Sequence, residues 1–251
     1  MKQIIILLTF TALIAACGTH KESNVTDSDS IAVVAPSDNM LTPEQVAEGW
    51  ALLFDGKTMT GWRTFKNQET DSWEVVDGTL HCKPFKEGDT NKRGDILTEK
   101  QYENFELQFD WKISPQGNSG VMYRVTEEFD QPFASGPEYQ VIDDKGYPGD
   151  LQKGQLTGAV YDMYFPDAGI KVNPVGDWNT ARIIVHEKHV EHWLNGGKVA
   201  EYELQSDDWN QRREKSKWKD FPGYGLATKG HIDLQDHGNE VWFKNIKIKP
   251  L

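Results

Sequence analysis

From residue 73 onward the chain reads as short runs in which apolar and polar positions alternate with a period of two. The runs are 73–77, 79–83, 105–111, 121–125, 139–142, 182–186, 192–194, 199–204, 232–234 and 241–248. Such alternation predicts strands with one face against a core. Asn195-Gly196 and Asp77-Gly78 lie between runs and predict tight hairpin turns. The run lengths and the Gly, Pro, Asn and Asp residues that bound them predict an all-β sandwich of two antiparallel sheets. So many strands with long inserts favour a jelly roll over a small immunoglobulin-like domain. Helix signals are few. Thr42-Pro43-Glu44-Gln45 predicts a short helix ending near Gly49. The polar stretch 206–219 reads as a surface helix or loop, and no repeat of fixed period occurs.

The N-terminus breaks this pattern. Lys2 precedes an apolar run, residues 4–16, that is too short to span a bilayer. Ala15-Ala16-Cys17 supplies the small residues before a cysteine that a lipoprotein signal peptidase requires. Residues 1–16 are therefore expected to be a signal peptide, with Cys17 carrying the lipid. Residues 17–40 are rich in Ser, Asp, Asn and Thr, too polar to fold alone, and read as a tether. Residues 41–251 form the single folded domain. The expected location is the cell envelope, in the periplasm or on the outer membrane, with the lipid as the only membrane contact.

Composition narrows the function. Nine Trp, eight Tyr and eleven Phe suffice for a substantial core. The net charge of −12, without a run of more than two Lys or Arg, argues against nucleic acid as a partner. With Cys17 lipidated, Cys82 has no disulfide partner and reads as a small buried side chain. No phosphate-binding Gly loop, GxSxG elbow or paired CxxC occurs. His186, His189 and His192 are spaced as helical metal ligands, but strand-like sequence flanks them, so His186 to His189 reads as a polar turn. The Glu-x-Asp-x-Glu string of retaining sandwich glucanases is absent, and Glu201 and Glu203 read as an exposed ribbon.

Three Gly-flanked segments, 117–124, 136–143 and 230–238, concentrate polar residues with strand alternation. Residues two apart on a strand share a face. Met122 and Arg124 are thus expected on one face, with Glu138, Gln140, Asp233, Gln235 and His237. Val121, Tyr123, Val125, Tyr139, Val141, Ile232 and Leu234 are expected on the other. A polar face of this kind suits a small carbohydrate, which offers hydroxyl groups to hydrogen-bond. The bland alternative is a solvated outer face.

These segments also carry a resemblance. Residues 49–57, Gly61-Trp62, Asn118-Ser119-Gly120, Glu138-Tyr139-Gln140, 157–162, Trp178-Asn179, 193–196, 230–238 and 243–246 resemble the 3-keto-disaccharide hydrolase domain family, formerly domain of unknown function 1080. The resemblance covers about 200 residues. It implies a concanavalin-like jelly roll acting on glycosides oxidised at sugar C3. A C3 ketone acidifies the C2 proton, so a base can form an enolate, C1 can lose its substituent, and water can add. Glu138 and His237 are the candidates for base and acid, and Arg124 the third catalytic candidate. Arg124, Gln140 and Gln235 are candidates for holding the keto oxygen or hydroxyls. Asn118, Asp143, Tyr161 and Lys171 complete the expected substrate contacts. No cofactor is demanded; a divalent ion polarising the ketone would draw on Glu138, Asp143 or His237. The rival readings are a non-catalytic carbohydrate-binding module and a scaffold lipoprotein without a ligand.

Overall fold

The computed structural model describes residues 37–251, apart from 87, 89–91 and 167–170. The expected signal peptide, Cys17 and most of the expected tether fall outside the described residues. The chain is an all-β jelly-roll sandwich of two antiparallel sheets. The larger sheet runs, edge to edge, through β11 (Gly197–Glu203), β10 (His189–Leu194), β9 (Asn179–His186), β6 (Phe105–Ile113), β13 (Val241–Pro250), β4 (Thr79–Cys82) and β3 (Trp73–Val76). Strand β1 (Ala51–Leu52) also pairs with β13. The smaller sheet is β2 (Trp62–Thr64), β5 (Ile96–Thr98), β12 (His231–Leu234), β7 (Asn118–Val125) and β8 (Glu138–Ile142).

Local sequence explains the connections. Asn195 and Gly196 have φ of 48° and 84°, and Asp77 and Gly78 have 47° and 74°. Two successive positive φ values give the turn whose twist matches a hairpin, which Asn-Gly and Asp-Gly tolerate best. Helix α1 (Pro43–Ala47) is capped by Thr42 and Gln45 in a reciprocal box. Phe105, Phe109 and Trp111 of β6 and Phe243 of β13 meet Val121, Tyr123, Tyr139, Val141, Ile232 and Leu234 between the sheets.

The two sheets differ in a way that decides where chemistry can sit. Along β6 and β10, buried and partly exposed residues alternate, so the far face of the large sheet meets water. Every residue of β5, β7, β8 and β12 is buried. Something covers the outer face of the small sheet. Part of that cover comes from the end of the stretch 206–219, expected on the surface, where Lys217 and Trp218 line one cavity with Glu138 and Gln140. The stretch forms α2 (Asp207–Lys215) and a 3-10 turn (Lys217–Asp220), each anchored by a fully buried tryptophan, Trp209 and Trp218.

Three details go beyond the sequence reading, and two of them correct it. Asp38 and Asn39, assigned to the tether by composition, are fixed on β13. Asn39 and Asn245 exchange two backbone-to-side-chain hydrogen bonds, at 2.6 and 2.9 Å, and Asp38 pairs with Lys244 at 2.7 Å. The turn between β9 and β10 falls where expected, but His192 is fully buried in the core. Its ring nitrogens lie 3.0 Å from the Tyr123 hydroxyl and 3.1 Å from the Gly158 carbonyl oxygen.

The third detail, and the second correction, is Arg124. Its φ is 53°, and the β7–β12 register shifts beside it, between His231 and Asp233. Such a bulge resets the alternation. Val125 therefore packs with Met122, while Tyr123 stays in the main core. Arg124 leaves the polar face. Its guanidinium donates to the Glu103 carbonyl at 2.8 and 3.1 Å and to the Glu187 carbonyl at 2.7 Å, tying two loops together. A planar fork can serve both carbonyls, which a single ammonium does poorly. Arg124→Lys is thus expected to cost about 1–3 kcal/mol of stability in urea unfolding without changing ligand affinity. Unchanged stability with weakened binding would overturn this placement.

Candidate active site

Strand register assembles the site row by row on the outer face of the small sheet. Met122 of β7 faces Glu138 on β8 and Asp233 on β12. One row along, Gly120 faces Gln140, and its carbonyl accepts the Gln235 N–H at 3.0 Å. Asn118, Glu138, Gln140, Tyr161, Gln235 and His237 surround one cavity of about 150 Å³. Six residues singled out from sequence are thereby brought together. The cavity is completed by Phe133, Lys217 and Trp218 from the covering loops. The polar face is not the solvated surface of the bland alternative, because Glu138 is 5% exposed and Gln140 1%.

Two expected contacts lie elsewhere. Strand β8 ends at Ile142, so alternation no longer orients the next residue. Asp143 turns back and accepts the N–H groups of Gln116, Lys145 and Gly146 at 2.9 to 3.1 Å. With Lys171 it lines a different cavity of about 740 Å³. Asp143 therefore does not join Glu138 and His237 as a set of metal ligands. Among the described residues, the His, Asp and Glu side chains close enough to share an ion are His189, Glu191 and Glu201 on the β10–β11 ribbon. Their charges are already paired, with one another and with Lys198.

Glu138 dominates the electrostatics. Burial pushes its carboxyl up to about 8; Lys217 opposes this, and Asp95 and Asp162 add to it. Asp233, in the same row, is fully buried, and neither of its carboxyl oxygens has a hydrogen-bond partner among the described residues. Burial, then Asp95 and Glu138, hold Asp233 protonated far above the usual carboxylate range. The remaining lining is mostly uncharged. Gln140 donates to Asn118 at 3.3 Å, and among the described residues its own buried Oε1 has no donor, as is true of Oε1 of Gln235. Burial raises the Tyr161 hydroxyl to about 12, helped by Asp162 and Glu138, so it remains a donor.

Sequence reasoning missed Lys217, Trp218 and Phe133, whose segments carry no strand alternation. Lys217 lies over the Tyr161 ring, 4.1 Å from its centroid, and 4.5 Å from that of Trp218. The Trp218 indole donates to the Tyr161 carbonyl at 2.6 Å and stacks on Tyr224 at 4.1 Å.

This geometry, one buried carboxyl in a ring of amides and aromatics, occurs in a chain with known relatives. The model of the 3-keto-alpha-glucoside-1,2-lyase-like domain matches residues 49–249. The chain belongs to this family. A 3-keto-disaccharide hydrolase of Bacteroides thetaiotaomicron is 31% identical, over 95% of this chain and 94% of the relative. A candidate glycosyl hydrolase of Parabacteroides distasonis, known from a crystal structure, is 45% identical and superposes with a TM-score of 0.78. It is matched over 85% of this chain and 99% of its own. A second such structure from the same species is 29% identical with a TM-score of 0.62, over 80% and 99% of the two chains.

Two of the motifs that carry the family resemblance, Asn118-Ser119-Gly120 and Glu138-Tyr139-Gln140, have a shared physical reason. The Glu138 side chain lies across Gly120: a Cβ there would run into its carboxylate and sit 2.8 Å from its Cγ and Cδ. Only glycine leaves that space. Gly120→Ala is expected to push Glu138 off the sheet toward water. Its titration, followed by carbon NMR of labelled Glu, should then fall from about 8 toward the ordinary carboxylate range. A midpoint that stays near 8 would overturn this account of Gly120.

Proposed function

We propose that the protein is a hydrolase that cleaves 3-keto-glycosides, including 3-keto-disaccharides, by elimination followed by hydration. The observation that carries this reading is Glu138. A carboxyl pushed up to about 8 holds a proton reversibly near neutral pH, which suits a general base. In the proposed reaction Glu138 takes the C2 proton, and the electron pair forms an enolate on the C3 oxygen. The enolate collapses to expel the group on C1, whose oxygen gains a proton from His237. Water then adds at C1 and a proton returns to C2, so the net change is hydrolysis. Asn118, Gln140, Gln235 and Tyr161 supply hydrogen bonds to hydroxyls and to the keto oxygen, and the Lys217 charge favours the enolate.

The neighbours decide the pH dependence. If ionised Glu138 is the base, the low-pH limb of kcat/KM rises tenfold per pH unit up to about 8. Lys217 lowers the Glu138 value, so Lys217→Met moves this limb to higher pH. Glu138→Gln keeps the shape of the side chain and removes its basicity. It should lower turnover of a 3-keto-glucoside by roughly 10²–10⁴-fold. In deuterated water the wild type should place deuterium at C2, which direct displacement at C1 does not do. Normal turnover by Glu138→Gln would dismiss the base assignment. Saturable sugar binding by the wild type without cleavage would replace the enzyme by a binding module.

We also propose that Cys17 carries a lipid that holds the domain in the cell envelope. Cys17→Ser should release the folded domain from membranes. Continued membrane retention of that variant would refute the anchor.

A further inference from the structure

Beside the Glu138 cavity lies an open groove of about 640 Å³, lined by Phe85, Arg93, Asp236, His237, Gly238 and Asn239. His237 is the residue common to both. We propose that this groove is the leaving-group subsite, where the second sugar ring or aglycone stacks on Phe85. The inference rests on the glycoside-cleaving reading and adds to it the part that selects substrates.

Size gives the first argument. The inner cavity, at about 150 Å³, is well below the roughly 300–1,000 Å³ of pockets that enclose a drug-sized ligand. A two-ring substrate therefore keeps one ring outside. The reacting ring needs enclosure, whereas the departing group needs a way out. The groove meets that second need, and the shared His237 stands at the junction, where the bond between the rings would lie.

The construction of the groove gives the second argument. Phe85 is 53% exposed and lines the groove beside the Arg93–Asp236 pair. Its backbone is held: the Phe85 N–H donates to the Gly238 carbonyl at 2.8 Å, and Arg93 donates to the Lys83 carbonyl at 2.8 Å. The floor is an ion pair of Arg93 with Asp236, whose side chain is wholly buried. Asp236 also accepts the N–H groups of Gly94 at 3.0 Å and Gly238 at 2.9 Å. An exposed aromatic ring beside a hydrogen-bonded ion pair suits a sugar or phenolic ring, which offers both an apolar face and polar groups at its rim.

The test compares a 3-keto-disaccharide with the methyl 3-keto-glucoside, whose leaving group is too small to reach Phe85. Phe85→Ala should lower the ratio of kcat/KM for the disaccharide to that for the methyl glycoside by roughly three- to tenfold, mainly through KM. Phe85→Trp, which keeps a platform, should retain the ratio. Thermal unfolding checks that both variants are folded. A ratio that Phe85→Ala leaves unchanged overturns the subsite. If the wild type cleaves neither compound, the cleavage reading fails separately, and calorimetry with the same two ligands still decides the subsite. Weaker binding of the disaccharide alone to Phe85→Ala supports it, and equal binding to both proteins overturns it.

Discussion

Removing a carboxyl from water without giving it hydrogen-bond donors costs several kcal/mol when it is charged, so it stays protonated instead. The small sheet imposes this on Glu138 and, more strongly, on Asp233. Both strands that carry them are buried on both faces, which a purely apolar sheet would accept without penalty. The rest of the molecule is arranged around that cost. Gly120 makes room for the Glu138 side chain, and Lys217 supplies the nearby positive charge that offsets part of the desolvation.

Holding Lys217 there falls to a column of aromatic rings. Trp218 stacks on Tyr224, Tyr224 on Trp209, Trp209 on Tyr202, and Tyr202 on Tyr164, with centroids 4.1 to 5.4 Å apart. Tyr202 belongs to β11 at the edge of the large sheet, so the column ties the loop over the cavity to the sandwich core. Each stacked pair adds roughly 0.5–1.5 kcal/mol beyond the area it buries. The cover is thus rigid where it meets Glu138, which preserves the desolvation that sets its proton affinity.

Alternation made the strands legible, because a sheet with one wet face writes its period into the sequence. It failed wherever that period was interrupted. Strands β1, β2 and β5 are two or three residues long, too short for a pattern to show. A single positive φ turned Arg124 away from the polar face, and Asp143, an odd position that alternation groups with Tyr139 and Val141, was expected in the site as a substrate contact or ion ligand rather than from its face. Glu138, Gln140 and Gln235 could be read because they sit on or beside regular strand. Lys217 could not, since a lysine in a polar stretch looks solvated until the tryptophans on either side of it are seen to be buried. Those paired tryptophans, Trp209 and Trp218, were the available signal: a polar segment with two large aromatics is seldom only a surface helix.

The carboxyl arrangement also bears on which chemistry the fold favours. Conventional glycosidases place two carboxyl groups across the bond to be cleaved, one as acid and one as nucleophile or base. Among the described residues Glu138 is the one carboxyl that lines the cavity; Asp233 and Asp95 do not line it, and both are pushed toward the protonated state by burial first. A lone base needs a substrate that already carries an acidic proton, and a ketone next to C2 provides one. A neutral Asp233 beside Glu138 then has a plain electrostatic benefit. It contributes no negative charge to oppose ionisation of Glu138, the proposed base, whereas an ionised carboxylate at that position would drive the Glu138 value higher still.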